Sequence, residues 1–416
     1  MYWLIEDIDK INLFCKIKYA EAFVEIIPIS PTLHPSVNSI SAIYIKPLDS
    51  TKGYIIPINH NDTLNLEESV IEDVLNSISK IYVRDKKHFL HFAYHTNCVQ
   101  PPPTPFPYIP KLTACHEFYN KTYKTYTNLN TIIPIVKHYQ VCEDIFNNYD
   151  FGNTNEFYNN KASIVFNKIE QSPLKLDTAR FAHYFNISTD GYAYTNYNLN
   201  TLTTRPSNTF GGINFSTLNK DNNERECFVP NNDYFIELDI SSYHPTLLSH
   251  ILHYTFPSDD IHKYFAEIYG VEYAKAKEIT FQQIYGGVFK QYEHIEFFKL
   301  TKQYVNKIWE EYTLNGEITC DISGYKFNSK NLTDMNPQKL LNYILQERET
   351  STNVRILWDI FKILRGKNTK LVLTVYDSFL FDVDNSETDT IEDIRNIFTK
   401  YKLQTKTKQG INYNLK

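Results

Sequence analysis

The sequence predicts an α/β fold with more than one domain, and three observations support this prediction. Over about the first 98 residues, strand-like apolar runs alternate with an amphipathic helical segment. Helical patterns then dominate three stretches, 129–175, 243–312 and 336–365. Two apolar strands carry aspartate, in DYFIELDIS and LVLTVYDSFLFDV. A chain of 416 residues is long enough for two or three cores.

The N-terminal elements follow in order along the chain. AEAFVEIIPIS, SISAIYIKPL and GYIIPIN have the apolar, β-branched character of strands. NLEESVIEDVLNSISK has helical periodicity. QPPPTPFPYIP interrupts both patterns, because consecutive prolines neither continue a helix nor donate hydrogen bonds to a sheet. This stretch is a domain linker or a loop across one domain surface.

Composition limits the classes of protein to consider. Charged residues are 22% of the chain and the net charge is -6, which disfavours a generic basic nucleic-acid coat. Any nucleic-acid contact must therefore come from local Lys/Arg clusters. The six cysteines are scattered, which disfavours zinc and a disulfide framework. The sequence has neither a signal-like N-terminus nor a membrane-spanning apolar stretch, and a cytoplasmic location is expected.

Two aspartates are candidates for a chemical role because of their positions in the sequence. Asp239 lies near the end of the apolar run FIELDIS, and Asp377 lies between two apolar runs in LVLTVYDSFLFDV. Buried carboxylates are costly unless they are paired or bound to a cation. One interpretation is a pair of turn or cap aspartates. The other is a pair that holds two magnesium ions for nucleotidyl transfer.

The segment YAKAKEITFQQIYGG places Lys277, Phe281 and Tyr285 on one helical face, followed by Gly286. An amphipathic helix with a glycine cap would look the same. The spacing nevertheless resembles the nucleotide-binding fingers helix of family A DNA polymerases. The resemblance implies that the lysine meets the triphosphate and that both aromatic rings lie beside the nucleoside. The upstream DDIHKYFAEIYG resembles the family's Asp-Ile-His element, which places His262 on the phosphates.

Further motifs of this family appear in order over about residues 160–416. LNTLTTRPSNTFGGINF resembles the Thr-Gly-Arg loop and implies that Arg205 contacts DNA. The first carboxylate motif implies Asp239 and the carbonyl of Ile240 as metal ligands, and the second implies Asp377. The resemblance assigns three more residues to DNA: Asn342, Gln346 and Tyr376.

The resemblance also implies a domain organisation. Residues 1–150 resemble the ribonuclease-H-like proofreading exonuclease domain, and 151–200 form a residual thumb or connector. The expected palm comprises 201–250 and 326–416, with fingers at 251–325. In the first exonuclease motif only Glu25 occupies an expected acidic position, and Ile27 stands where the paired acid should be. Tyr139 with Glu143 or Asp144 resembles the last motif. We therefore expect a scaffold without proofreading activity.

Three departures from the family pattern qualify the resemblance. Only about 25 residues separate Asp177 from Arg205, where a long helical thumb is usual, so weak and distributive DNA binding is expected. His244 stands where DNA polymerases carry a glutamate that excludes ribose, and is expected beside the nucleotide. Ser378 replaces a glutamate, and Tyr273 replaces a phosphate-binding arginine for which Lys275 is a candidate substitute.

The function implied is template-directed DNA synthesis from dNTPs on a primer-template, with two Mg²⁺ ions and Mn²⁺ as a substitute. A processivity or replication protein is a further candidate partner, and a phage, a mobile element or a cell remains open as the source. A primase or RNA-synthesising enzyme is one alternative, suggested by the short thumb, His244 and Ser378. A non-catalytic replication scaffold is the other.

Overall fold

The computed structural model describes residues 3–30, 33–93, 98–100, 133–152 and 155–415. Within these ranges the chain divides into two compact units, the first comprising residues 1–171 with 210–213 and the second 172–209 with 214–416. The first unit therefore extends beyond the predicted limit at residue 150. Helix α5 (Ser163–Glu170) belongs to it because Asn167 donates to the Lys87 carbonyl and Lys87 forms a salt bridge with Glu170.

The first unit is built around a mixed six-stranded sheet in the order β1-β4-β3-β2-β5-β6. The strands are β1 (Trp3–Leu4), β2 (Tyr19–Pro28), β3 (Ile40–Pro47), β4 (Tyr54–Pro57), β5 (Ile78–Tyr82) and β6 (Cys98–Val99). The remaining helices are α1 (Ile8–Lys16), α2 (Val70–Asn76), α3 (Lys86–Phe92) and α4 (Ile135–Asn147). Strand β2 pairs antiparallel with β3 and parallel with β5.

Both faces of this sheet are covered, which explains the nearly continuous apolar character of β2. Val24 and Ile26 pack in one cluster with residues of α1 and α2. Phe23 and Ile27, which alternate with them along the strand, pack in a second cluster with residues of α4. The three predicted strands are confirmed.

The predicted helix NLEESVIEDVLNSISK is only partly correct. Helix α2 ends at Asn76, and the last residues of the segment enter strand β5. Ile78 and Ile81 are buried there, and the parallel pairing with β2 overrides the local helical pattern. QPPPTPFPYIP lies outside the described residues apart from Gln100.

The second unit centres on a four-stranded antiparallel sheet in the order β16-β17-β13-β18. Its strands are β13 (Tyr234–Ile240), β16 (Lys370–Val375), β17 (Ser378–Val383) and β18 (Thr405–Gly410). The helices are α6 (Thr178–Tyr184), α7 (Tyr243–Ile251), α8 (Ile261–Tyr269), α9 (Tyr273–Gly286), α10 (Glu296–Asn315), α11 (Pro337–Ile363) and α12 (Thr388–Lys400). The shorter strands are β7 (Leu174–Leu176), β8 (Tyr192–Ala193), β9 (Tyr197–Asn198), β10 (Ser207–Phe210), β11 (Ile213–Asn214), β12 (Phe228–Val229), β14 (Glu317–Thr319) and β15 (Lys326–Asn328). The last residue of β10 and the first residue of β11 fall within 210–213, which belong to the first unit.

Local sequence sets the ends of the helices around this sheet. The Asp260 side chain accepts a hydrogen bond from the Lys263 amide at the start of α8, and Gly270 ends that helix in a left-handed conformation (φ 64°). Asn336 caps α11, with Pro337 in its first turn. The predicted hairpin LVLTVYDSFLFDV is confirmed as β16 and β17. Among the described residues, no helix has the length and apolar character needed to cross a membrane.

Candidate active site

Asp239 and Asp377 converge at one end of the central sheet of the second unit. Asp239 is the penultimate residue of β13 and pairs directly with Ser378, the first residue of β17. Asp377 lies in the two-residue turn between β16 and β17, and its carbonyl accepts a hydrogen bond from the Ile240 amide at 2.8 Å. The two aspartates, far apart in sequence, are thus brought together by strand pairing.

Both carboxyl groups have raised pKa values. Desolvation and then the negative charge of Asp239 raise the pKa of Asp377 to about 6. Desolvation also raises the pKa of Asp239, although nearby lysines oppose that effect. Neither carboxylate forms a salt bridge with any residue in the described part of the chain. Two adjacent, unneutralised carboxylates with solvent access form a donor set that suits divalent cations with oxygen ligands.

A third carboxylate, Glu349 on α11, was missed by the sequence analysis. It is buried, and it accepts two hydrogen bonds from the Arg205 guanidinium, at 2.8 and 3.1 Å. Its other neighbour is His244, whose Nε2 lies 2.7 Å from Oε2 of Glu349. Burial alone would raise the pKa of Glu349, but the hydrogen bond from His244 and the charge of Arg205 hold it below its ordinary value.

His244 connects this carboxylate to helix α9. The hydroxyl of Tyr285 lies 2.6 Å from Nδ1 of His244, so both ring nitrogens are engaged by protein groups. Tyr285 and Phe281 stack at 5.6 Å between ring centroids with 7° between their planes. Gly286 is the last residue of α9, and Gly287 follows with φ 100°. The predicted aromatic face of the helix is therefore formed and joined to α11 through His244.

His262 lies beside the same face of α9. Its ring centroid is 5.6 Å from that of Phe281, and Lys277 Nζ is 5.9 Å from the Phe281 centroid. His262 is 3% exposed, yet neither ring nitrogen has a hydrogen-bond partner among the described residues. Desolvation and then the charge of Lys277 lower the pKa of His262 to about 4. A buried imidazole with two unsatisfied nitrogens beside a lysine indicates a place where a ligand would supply the missing partners.

Lys275, the candidate substitute for the missing arginine, is engaged elsewhere. Its ammonium forms an exposed salt bridge with Glu278 at 2.9 Å. Tyr273 is also exposed, and its ring lies 5.8 Å from that of His262. The suggestion that Lys275 binds phosphate stays a prediction.

The four residues predicted to contact DNA differ in their surroundings. Arg205 stacks over the ring of Tyr376 at 3.6 Å. Gln346 accepts a hydrogen bond from the Thr203 hydroxyl at 2.9 Å. Asn342, one turn earlier on α11, has a buried side-chain oxygen, Oδ1, without a hydrogen-bond partner in the part of the chain that the structure describes. Their roles toward DNA remain predictions.

The turn that carries Asp377 is held in an unfavourable conformation. Tyr376 has φ 58°, in the left-handed region that costs a residue with a side chain about 1–2 kcal/mol. The Asn353 side chain donates a hydrogen bond to the Tyr376 carbonyl at 2.7 Å and accepts one from the Tyr243 hydroxyl at 2.7 Å. These contacts and the Arg205 stack hold the turn, and with it the Asp377 backbone, in place.

Two acids of the first unit that the resemblance singles out, Glu25 and Glu143, are paired with cations. Glu25 accepts hydrogen bonds from the Arg84 guanidinium at 2.7 and 3.0 Å. Glu143 accepts hydrogen bonds from the Tyr44 and Tyr139 hydroxyls at 2.6 and 2.7 Å and from Lys46 at 3.2 Å.

Among the described residues, one group of three potential metal ligands from histidine and glutamate lies in the first unit. The ligand atoms of His34, His91 and Glu170 are within 4.8 Å of one another. Lys87 donates to both oxygens of Glu170, at 2.7 and 2.9 Å, so an ammonium group already neutralises this carboxylate.

Comparison with known proteins shows similarity in structure rather than in sequence. No protein-family model matches the chain, and no curated protein sequence matches it. Among solved structures, the chain is similar to the POL domain of Pol1 from M. smegmatis, which was determined in complex with DNA primer-template and dNTP. The match has a TM-score of 0.72 and 12% sequence identity, and it covers 100% of this chain and 99% of the other. The prediction of a mixed α/β fold of the polymerase-domain type is therefore confirmed.

Proposed function

We propose that this protein is a template-directed DNA polymerase that transfers nucleotides from dNTPs to a primer 3′-hydroxyl. The observation that carries the proposal is the convergence of Asp239 and Asp377 on adjoining parts of one sheet, with no salt bridge to a cation in the described part of the chain. The unit that holds this pair also contains a helix face with Lys277, Phe281 and Tyr285. The similar fold of a polymerase domain determined with DNA and dNTP supports the same reaction class.

In this reaction the primer 3′-oxygen forms a bond to the α-phosphorus of the dNTP. The bond from that phosphorus to the bridging oxygen breaks, pyrophosphate leaves, and the hydroxyl proton passes to solvent. Asp239, Asp377 and the carbonyl of Ile240 would hold two Mg²⁺ ions, which lower the pKa of the hydroxyl and stabilise charge on the leaving group.

The other residues bind and orient the substrates. Lys277 and the unsatisfied ring nitrogens of His262 offer a positive charge and hydrogen-bonding atoms to the triphosphate. Phe281 and Tyr285 present a stacked aromatic wall to the nucleoside, and the His244 hydrogen bond fixes the Tyr285 ring. Arg205, held by Glu349, stands beside the Asp377 turn, where the primer terminus would lie.

We further propose that the chain is a divergent family A polymerase with palm and fingers in the second unit. The short connection between β7 and Arg205 supports a reduced thumb. The mixed sheet of the first unit, with antiparallel β2, β3 and β4 followed by parallel β5 and β6, supports a ribonuclease-H-like domain. The cation-paired Glu25 and Glu143 support the absence of proofreading.

Primer extension tests the proposal. A labelled primer on a DNA template is incubated with Mg²⁺ and with dNTPs or NTPs separately. We expect templated dNTP addition that is lost in Asp239→Ala and Asp377→Asn. Asp393→Asn is the matched control, because Asp393 is exposed on α12 in the same unit and lies outside the site. Full activity of Asp377→Asn would refute the metal assignment. Product formed with NTPs and not with dNTPs would show that the protein is an RNA-synthesising enzyme instead of a DNA polymerase.

A further inference from the structure

The strand on the far side of Asp239 carries two lysines. Strand β18 has the sequence TKTKQG and pairs antiparallel with β13. The register places Lys406 opposite Asp239 and Lys408 opposite Glu237. Directly opposed residues of an antiparallel pair project from the same face of the sheet, as do alternate residues of one strand. All four side chains therefore share the face that carries the candidate active site.

The two lysines have different partners. Lys408 Nζ forms a salt bridge with Glu237 at 2.8 Å, and this glutamate is 4% exposed. Lys406 is exposed and lies farther than 4 Å from every carboxylate oxygen in the described part of the chain. One lysine thus neutralises a buried acid, whereas the charge of the other is left available next to the catalytic aspartate.

Lys406 is close to two parts of the site. The register places it directly across the strands from Asp239. Its charge also adds to the effects of desolvation and Lys277 that lower the pKa of His262. Lys406 therefore lies beside the sheet carboxylate and within electrostatic range of the imidazole beside α9.

We propose that Lys406 is a second phosphate-binding lysine, which contacts the triphosphate of the incoming nucleotide, and then the departing pyrophosphate, from the β18 side. This inference rests on the proposed function and assigns a new residue to it. A triphosphate is a polyanion that needs several positive groups around it. Helix α9 offers Lys277 for this purpose, whereas Lys275 is paired with Glu278. Lys406 supplies the additional charge from the sheet, on strand β18.

The competing explanation is that Lys406 only balances the charge of Asp239 across the strands. In that case its loss would alter stability and the titration of Asp239, but it would not alter affinity for nucleotide phosphates selectively. Nucleotide and pyrophosphate binding therefore discriminate between the two explanations.

The test uses Lys406→Gln, which removes the charge and keeps a long polar side chain, together with Lys406→Arg. Lys370→Ala is the matched control, because Lys370 is exposed at the opposite end of the same sheet. A fluorescent dATP analogue is titrated with Mg²⁺ into each full-length variant, and inhibition of primer extension by inorganic pyrophosphate is measured. Primer-template affinity is measured at the same salt concentration.

For Lys406→Gln we expect a roughly 10- to 100-fold weaker affinity for the nucleotide and a similar rise in the pyrophosphate concentration needed for inhibition. Lys406→Arg should stay within a few-fold of wild type, and Lys370→Ala should be unchanged. Wild-type nucleotide and pyrophosphate binding in Lys406→Gln would overturn the inference, and so would a loss confined to primer-template affinity. If wild-type protein extends primers and Asp239→Ala does not, that outcome leaves the proposed function standing. Failure of the wild-type protein to bind nucleotide or extend primers would refute both the role of Lys406 and the proposed polymerase function.

Discussion

Replacing Glu349 by glutamine should destabilise the second unit and alter its response to acid. The side chain is 3% exposed and accepts hydrogen bonds from the Arg205 guanidinium and the His244 ring. Glutamine preserves the shape but removes the charge, and its amide offers a donor where both partners are donors. Loss of hydrogen bonds to a charged group costs about 1.5–3 kcal/mol, and leaving a partner of a buried pair unmatched costs about 3–5 kcal/mol. Because the Arg205 side chain is 29% exposed and keeps some hydration, we expect Glu349→Gln to lower the free energy of unfolding by about 2–3 kcal/mol.

The pH dependence follows from the direction of the pKa shift. The pKa of Glu349 lies below the ordinary 4.5 in the folded protein, because the His244 hydrogen bond and the Arg205 charge outweigh burial. Its contribution to stability is therefore complete above pH 4.5 and is lost as the pH falls through the lower folded-state pKa. Glu349→Gln should lack this component, so the difference in free energy of unfolding between wild type and variant should shrink below pH 4.5.

Glu347 provides the matched control on the same helix. It is 1% exposed, but burial raises its pKa despite the hydrogen bond from Ser323. Since the charged form of Glu347 is disfavoured in the folded protein, Glu347→Gln should cost less than Glu349→Gln.

Urea unfolding followed by tryptophan fluorescence measures these free energies, since Trp309 and Trp358 both lie in the second unit. If Glu349→Gln changed the free energy of unfolding by less than about 0.5 kcal/mol, the paired-carboxylate reasoning would be wrong. A variant whose deficit stayed constant from pH 7 to pH 3 would contradict the assigned pKa direction.

Three further predictions concern other parts of the chain. At pH values above 6 and without metal, Asp377→Asn should have a higher melting temperature than wild type, because the raised pKa of about 6 shows that ionised Asp377 is unfavourable in the folded protein. Added Mg²⁺ should raise the melting temperature of wild type and not that of the variant. Gly287→Ala should lower the free energy of unfolding in urea by about 1–3 kcal/mol, because φ is 100° and the new Cβ would lie 3.1 Å from the Gln338 side chain. The control Gly286→Ala should change it little, because a Cβ there meets nothing within 4 Å. Wild type and Glu25→Gln should be equally inactive in degrading a labelled single-stranded oligonucleotide with Mn²⁺; degradation that requires Glu25 would show that the exonuclease centre is intact.

Strand patterns were accessible from the sequence because each depends on local chemistry. The apolar runs of β2, β3 and β13 needed only their composition. Acids at strand ends marked Asp239 and Asp377, but only the family resemblance favoured a metal-binding pair over two turn aspartates, because their convergence depends on strands far apart in sequence. The end of α2 was mispredicted, since the parallel pairing of β5 depends on a strand far away in sequence. Local preference cannot include that contribution.

Glu349 could not be found by the same reasoning. It lies inside a long helix whose residues Gln346, Glu347 and Arg348 are also polar, so nothing in the sequence marks one acid as buried beside the site. A spacing signal does exist, because Asn342, Gln346 and Glu349 share one face of α11. Only the contacts of Arg205 and His244, which lie on other elements, show that Glu349 is the acid that faces the site.

The balance of charge around the site explains why two particular acids remain for metal binding. Four carboxylates come together on the sheet and α11, but Arg205 neutralises Glu349 and Lys408 neutralises Glu237. Asp239 and Asp377 remain without a salt bridge within the described residues, and each experiences the negative charge of other acids. Adding positive charge at that point relieves repulsion, whereas a cation at either neutralised acid would have to displace an existing partner. Because Glu349 and Glu237 already have cation partners, a divalent ion binds at the two aspartates instead. Removal of Lys408 should weaken that selectivity, because Glu237 would then become a competing ligand.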